Sequence, residues 1–514
     1  MQTKYSTGVS CFLILVFWPA FVGAQNYSHI KTGGFDYDYN LALNSSTEAE
    51  WLATHHDMVI GLQDYATSKL AESVYNNMKT ANPDVKFLTY IPFNTVLPAM
   101  STWMENWCDV NGRIKEDLYY HYYFDTDVRL RNNQIVNYKG YGGGTASTLA
   151  QSRVPSVWHS GLYPNINPTS QTFRDAYQAM ALEFMTVDVN EGKFTDGIFL
   201  DTFDGTVDDY FNLHLENTIE MRTLELIDST TARNRAQNDL IDARDELEYY
   251  LSIQTSRESR VIPNAAEADY VFGSRASLYA NRYTSSYNEM GIEYLVSSVY
   301  TSTLRIPRLK QLYDSMVNGI LYFNNSQTNY NTRFGFTGSD DDLTEEEWLG
   351  FNQYILAIHY LVNHPNGYFS FHRGSAGYYG GEAGSMRTTH WRNNIEYDIG
   401  NPVVRQGVDS WGQSNTNRFF VFADGELQYQ VLGREYQNAL ALAKFGNVGG
   451  WANIGANPLI HQLGGNYQRL QIDNTLGPVI SEITLGFGEG AILIKADNQS
   501  NATAPLSPVN LSVR

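Results

Sequence analysis

The chain has 514 residues, too many for one small domain and enough for a barrel of about 250 residues or more with a smaller companion. Hydrophobic residues make up 43% and charged residues 18%, which supplies a large core and excludes wholesale disorder. The formal net charge is −20 without any Lys/Arg cluster, which argues against a nucleic-acid partner and against strongly anionic substrates.

Residues 1–24 read as a secretory signal: Lys4 supplies the positive start, Cys11–Phe21 an apolar core too short to span a bilayer comfortably, and Val22-Gly23-Ala24 small residues for cleavage. The alternative is an uncleaved anchor. A mature chain beginning near Gln25 is therefore expected, secreted or extracytoplasmic, with no membrane partner after cleavage. Cys11 would leave with the signal, so Cys108 stands alone and forms no intrachain disulfide. Several sequons occur, among them those beginning at Asn26, Asn324, Asn498, Asn501 and Asn510.

From about residue 55 to 375, short β-branched or aromatic runs alternate with helical stretches. Candidate strands are Asp57–Leu62, Lys86–Ile91, a less regular segment near Val154–His159, Gly197–Asp201, Arg260–Asn264, Ile292–Val299, Ile320–Asn324 and Tyr368–His372. Between them, Ala232–Tyr250 carries Ala236, Leu240, Ala243 and Leu247 on one helical face. Thr344-Glu-Glu-Glu347 is a capping-box pattern opening a helix with Trp348, Phe351, Ile355 and Ile358 inward. Eight strands alternating with helices predict an α/β protein, a (β/α)8 TIM barrel over residues 25–390.

After about residue 395 the helical period fades. "RFFVFADGELQYQVLG" predicts a hairpin turning at Asp424-Gly425, and "GPVISEITLGFGEGAILIK" alternates as strands do. Residues 391–496 are expected to form an all-β sandwich. Residues 497–514 are a polar linker whose Pro505–Val513 resembles the opening strand of a fibronectin type III module, making a downstream module of that kind an expected partner.

The stretch "TDGIFLDTFDG" (Thr195–Gly205) places acids on both sides of an apolar strand. Alternation puts Gly197, Phe199 and Asp201 on one face. Asp196 and Asp201 stand about 16 Å apart along an extended chain, so they cannot share one mouth. Functional groups of such barrels lie at the C-terminal strand ends, which selects Asp201 and leaves Asp196 near the opposite rim to cap or orient the chain. A helix N-cap or turn acid is the other reading of Asp201, and a structural role is favoured for Asp196 and Asp204. The next strand ends at Asn264, whose amide suits a sugar hydroxyl or a carboxylate, or simply a turn. Glu293 lies among apolar neighbours, where burial raises a carboxyl pKa as a general acid requires; a salt-bridged structural role is the alternative. Two carboxylates flanking a cleft are the minimal apparatus for glycosidic cleavage: one protonates the leaving oxygen, the other attacks carbon or activates water. Tyr90, at the end of the second strand, and Asn94, just beyond it, are candidates for lining the mouth and binding substrate; Trp158, with His159 and Tyr163, could form sugar subsites, and core packing would equally account for these three. The 36 Tyr and 9 Trp suit ring stacking on sugars, although a habit of composition would give the same abundance. Asp36-x-Asp38-x-Asn40 opens like a calcium loop but lacks its later Gly and Glu, and no HExxH, paired-cysteine zinc pattern, P-loop or GxSxG occurs. No metal or cofactor is expected.

The sequence "DGIFLD", then "VIPN", then "GIEY", followed by "GREYQNALALAKF" and "LGGNYQRLQIDNTLGPVISEITLGFGEGAIL", resembles the hypothetical glycosyl hydrolase-like barrel families. It is distantly similar to the endo-α-1,4-polygalactosaminidase family and to α-amylase-type barrels. The resemblance spans most of residues 50–496 and implies Asp201 as nucleophile or base and Glu293 as general acid. Residues 205–231 and the aromatic "YYHYYF" at 119–124 depart from it and could reshape specificity. The expected protein is a secreted glycoside hydrolase acting on a poly- or oligosaccharide. A non-catalytic carbohydrate-binding protein and a transglycosylase are the alternatives.

Overall fold

A computed structural model describes residues 30–36, 46–61, 71–93, 98–122, 166–201, 231–256, 260–263, 289–292, 320–326, 345–372, 397–403, 431–444 and 458–496, with shorter pieces between them. Eight strands make one parallel sheet. They are β1 (Lys31–Asp36), β2 (Met58–Gly61), β3 (Lys86–Pro92), β4 (Gly197–Asp201), β5 (Arg260–Pro263), β6 (Glu289–Ile292), β7 (Ile320–Ser326) and β8 (Gly367–His372). In space they follow chain order, with β1 beside β8. The two strands at the ends of this order, β5 and β6, approach to within 8 Å between Cα atoms, which brings the sheet round into an α/β barrel.

Side-chain alternation divides the strands. Met58, Ile60, Leu88, Phe199, Ile262 and Tyr368 pack together inside the barrel, with half-buried Tyr90 against them. The intervening residues face outward. Val59 and Phe87 pack on helices α1 (Ser46–His55) and α2 (Glu72–Ala81). Ile91, Ile198, Leu200 and Val261 join the large core containing α3 (Pro98–Asn111), α4 (Gln171–Met185), α5 (Thr231–Thr255) and α6 (Glu345–Val362). On α5, Leu240, Ala243 and Leu247 are buried, as their spacing predicts.

Two strands of the barrel differ from expectation. Its first strand is Lys31–Asp36, where Gly33-Gly34 dilute the β signal. The segment Val154–His159 lies outside the described residues, and the barrel has no slot for it between β3 and β4. Those strands pair directly, from Leu88 opposite Gly197 to Pro92 opposite Asp201. The sixth strand is Glu289–Ile292, ahead of the expected Ile292–Val299, whose residues from Glu293 onward lie outside the described ones.

The C-terminal region is antiparallel β. Strands β9 (Phe420–Phe422), β10 (Val431–Glu435), β11 (Ala439–Lys444), β12 (Leu459–Leu470), β13 (Leu476–Leu485) and β14 (Glu489–Lys495) form one sheet, in the order β9-β10-β11-β14-β12-β13. Among the described residues, helix α6 covers one face of this sheet, and on the other face Leu463, Ile483 and Leu485 of β12 and β13 close over Leu440, Leu442 and Leu493. The alternation in "ALALAK" explains the fit. Ala439, Ala441 and Ala443 turn to the helix core, while Leu440 and Leu442 turn to a separate cluster on the other face. Gly490 sits where a Cβ would come within 2.8 Å of the Ala357 Cβ and 3.0 Å of the Tyr354 Cα, so only glycine permits this approach. Helix α6 is accordingly buried on all sides from Asn352 to Val362. The expected turn at Asp424-Gly425 is corrected: it would set Phe422 opposite Leu427, whereas Phe422 pairs with Val431.

No helix among the described residues is long and apolar enough to cross a membrane. Cys108 is fully buried, and that burial first, then the nearby acids Asp117, Asp109 and Glu105, push its thiol up to about 11.

Candidate active site at the barrel mouth

Parallel strands gather their C-terminal ends at one rim, so Asp36, Asp201 and His372, which close β1, β4 and β8, stand at the same mouth. Sequence reasoning treated Asp36 only as a possible ligand and passed over His372; the missing signal was the identity of the first strand.

Asp201 is the acid among them that the strand pattern selects. It is the last residue of β4 and half-buried, two positions beyond the inward-facing Phe199. Its backbone is held: the Phe93 N–H donates to the Asp201 carbonyl at 2.9 Å, and the buried Tyr177 hydroxyl donates to the Pro92 carbonyl at 3.0 Å. Burial drives the Tyr177 phenol well above its ordinary pKa, so it remains a donor. The Tyr90 hydroxyl donates to Asp201 Oδ2. The Tyr90 ring lies on Phe199, with centroids 6.2 Å apart and planes 23° from parallel.

At the other end of the strand, Asp196 has a different task. Its Oδ2 accepts from Lys79 Nζ at 3.0 Å and from the Phe87 N–H at 2.8 Å, while its own N–H donates to the Phe87 carbonyl at 2.8 Å. Nearby, the hydroxyls of Thr89 and Thr195 lie 2.9 Å apart within the core. Asp196 thus ties the start of β4 to β3 and α2. Asp196→Ala is expected to lower stability by about 1–2 kcal/mol, because the Phe87 amide and the Lys79 ammonium both lose a partly solvated acceptor. Urea unfolding measures this; a midpoint equal to that of the wild type would show that the tie contributes nothing.

The remaining candidates, Glu293, Asn264, Trp158 and Asn94, lie outside the described residues, as do Asp204, His159 and Tyr163. Of the "YYHYYF" run, Tyr119 and Tyr120 are core residues rather than cleft lining. Tyr119 underlies Arg153, whose guanidinium carbon is 3.9 Å from the ring centroid. Arg153 also grips Glu116 through both carboxylate oxygens, at 2.9 and 2.7 Å, and Glu105 at 3.0 Å.

Among the described residues, the carboxylates of Glu72, Asp188 and Glu191 are grouped closely enough to hold a cation. Lys193 already supplies one: its Nζ is 2.6 Å from Glu191 and 3.0 Å from Glu72. Hydrogen bonds to Glu191 and then Glu72 raise the pKa of this lysine, which keeps it charged.

No protein-family model matches the chain, and no curated protein sequence matches it. Several solved structures align with the chain. Amy13B of Eubacterium rectale aligns at 10% identity over 92% of this chain and 96% of its own, with a TM-score of 0.43. The type III pullulan hydrolase from Thermococcus kodakarensis aligns at 11% identity over 91% and 82%, with a TM-score of 0.42. A variant isomaltulose synthase from Erwinia rhapontici NX5, in complex with sucrose, aligns at 10% identity over 91% and 98%, also with a TM-score of 0.42.

Proposed function

We propose that the protein is a glycoside hydrolase that cleaves a poly- or oligosaccharide at the C-terminal mouth of its barrel. The observation that carries this reading is Asp201. An acid closes an inward-facing register at the end of the fourth strand, its backbone is clamped to β3, and its carboxylate is held by a tyrosine hydroxyl. A carboxylate so placed can attack an anomeric carbon or hold a water beside it. Glu293, which follows β6 in the chain, is assigned the general acid. It protonates the departing oxygen while Asp201 acts from the opposite side of the sugar ring. In a retaining enzyme the two carboxyl groups stand about 5–5.5 Å apart, and in an inverting one about 6.5–9.5 Å. Asn264, Asn94 and Trp158 are assigned to sugar binding.

The same reading takes residues 1–24 as a signal peptide and the mature protein as secreted, with residues 25–390 carrying the reaction and residues 391–496 supporting it. The test is a panel of purified polysaccharides incubated with the secreted protein, read by new reducing ends and by product size. Hydrolysis of at least one glycan is expected. Tight binding of a glycan without product would make the protein a carbohydrate-binding module on a barrel scaffold. Longer products formed when a sugar acceptor is added would make it a transglycosylase.

A further inference from the structure

We infer that Tyr90 is a positioning residue for Asp201, acting through its hydroxyl, and not a platform on which sugar stacks; the inference rests on the glycoside hydrolase reading. The register explains how the contact arises. Tyr90 pairs across the ladder with Phe199, and Asp201 stands two residues farther along the same face. That offset is about 6.6 Å along a parallel strand, close to the reach of a tyrosine side chain from Cα to hydroxyl. The phenol therefore spans the gap from its own position to the end of the neighbouring strand, and its hydroxyl meets Asp201 Oδ2.

The ring itself is engaged by protein. It lies near-parallel to Phe199 and packs on the interior cluster of the barrel. A phenylalanine at position 90 would serve that packing equally well, so packing does not account for the hydroxyl. Both strands are pinned where the contact forms, by the Phe93 N–H on the Asp201 carbonyl and by Tyr177 on the Pro92 carbonyl. The hydroxyl consequently approaches from a fixed direction and holds the plane of the carboxylate. An attacking or water-holding oxygen needs that orientation, since a misplacement of about 1 Å is enough to cost a large share of the rate.

The test uses the full chain as wild type, Tyr90→Phe, Asp201→Ala and the double variant. On a responsive glycan, Tyr90→Phe is expected to lower kcat about 10- to 100-fold with KM within about twofold, the pattern of lost positioning rather than lost binding. A raised KM with kcat kept would overturn the inference and make Tyr90 a sugar subsite. Thermal unfolding of the same four proteins supplies a readout that needs no turnover. The two single variants break one shared contact, so the shift in Tm of the double variant is expected to fall short of their sum. Additive shifts would overturn the inference. If the wild type hydrolyses no glycan, the glycoside hydrolase reading fails, and the unfolding cycle still decides whether Tyr90 and Asp201 act as a pair.

Discussion

Asp201→Asn is expected to lower kcat/KM for glycan hydrolysis at least roughly a thousandfold while leaving the fold intact. The substitution keeps the size of the side chain and removes its charge, so the Tyr90 hydroxyl still finds an acceptor at the end of β4. The clamp through the Asp201 carbonyl is backbone chemistry and survives unchanged. An amide, however, neither attacks an anomeric carbon nor draws a proton from water. Binding of the glycan should persist, which separates a lost reaction from a lost site. Glu293→Gln is the companion measurement: its loss should be greatest on substrates with poor leaving groups, because protonation is what the acid supplies. Near-wild-type activity in Asp201→Asn would overturn the assignment. Asp196 could not take its place, since its carboxylate is committed to Lys79 and Phe87 at the far end of the strand. Asp204 would then be the acid to test.

Arg434→Met is expected to destabilise the protein by about 1–3 kcal/mol, the cost of leaving buried carbonyls without their donor. Arg434 is only 1% exposed, yet it is a cation in the seam between the barrel and the C-terminal sheet. Its Nη1 donates to the carbonyls of Tyr360, Leu361 and Asn363, at 3.3, 3.1 and 2.9 Å. These belong to the last turn of α6 and its exit, where carbonyls have no partner within the helix and the macrodipole is negative. The guanidinium lies 5.4 Å from the ring centroids of both Tyr313 and Tyr436. Tyr436 adds its hydroxyl to the Tyr360 carbonyl. Methionine would fill much of the space but take the guanidinium donor from the Leu361 and Asn363 carbonyls, while the Tyr360 carbonyl keeps the Tyr436 hydroxyl. Arg434→Lys should lose a large part of the same stability, because an ammonium cannot reproduce the planar fork. Urea unfolding of the three proteins checks this, and a loss under about 1 kcal/mol in Arg434→Met would show that the seam does not depend on the cap.

The local signals carried the repeating parts of this fold. Alternation in "GIFLD" put Phe199 and Asp201 on one face and Ile198 and Leu200 on the other, because a strand allows no other arrangement of successive side chains, and the structure turns the first face into the barrel. Spacing in the Ala232–Tyr250 stretch marked the buried side of α5. The distance between Asp196 and Asp201 along the chain was sufficient to send them to opposite ends of the barrel. Tertiary structure decided what has no period. Lys31–Asp36 is a strand because β2 and β8 hydrogen-bond it from both sides, which overrides two glycines of poor strand propensity. The segment Val154–His159 was displaced from the strand count because β3 pairs with β4 across more than one hundred intervening residues, a long-range contact that no local window contains. The same pairing brings Tyr90 to Asp201, and the β-domain strand bearing Arg434 to the end of α6 is likewise a neighbour only in three dimensions. Sequence alone thus determined which residues share a face and which acid stands at a strand end. The folded chain determined which groups touch that acid, since hydrogen bonds between distant residues depend on register and packing rather than on order along the chain.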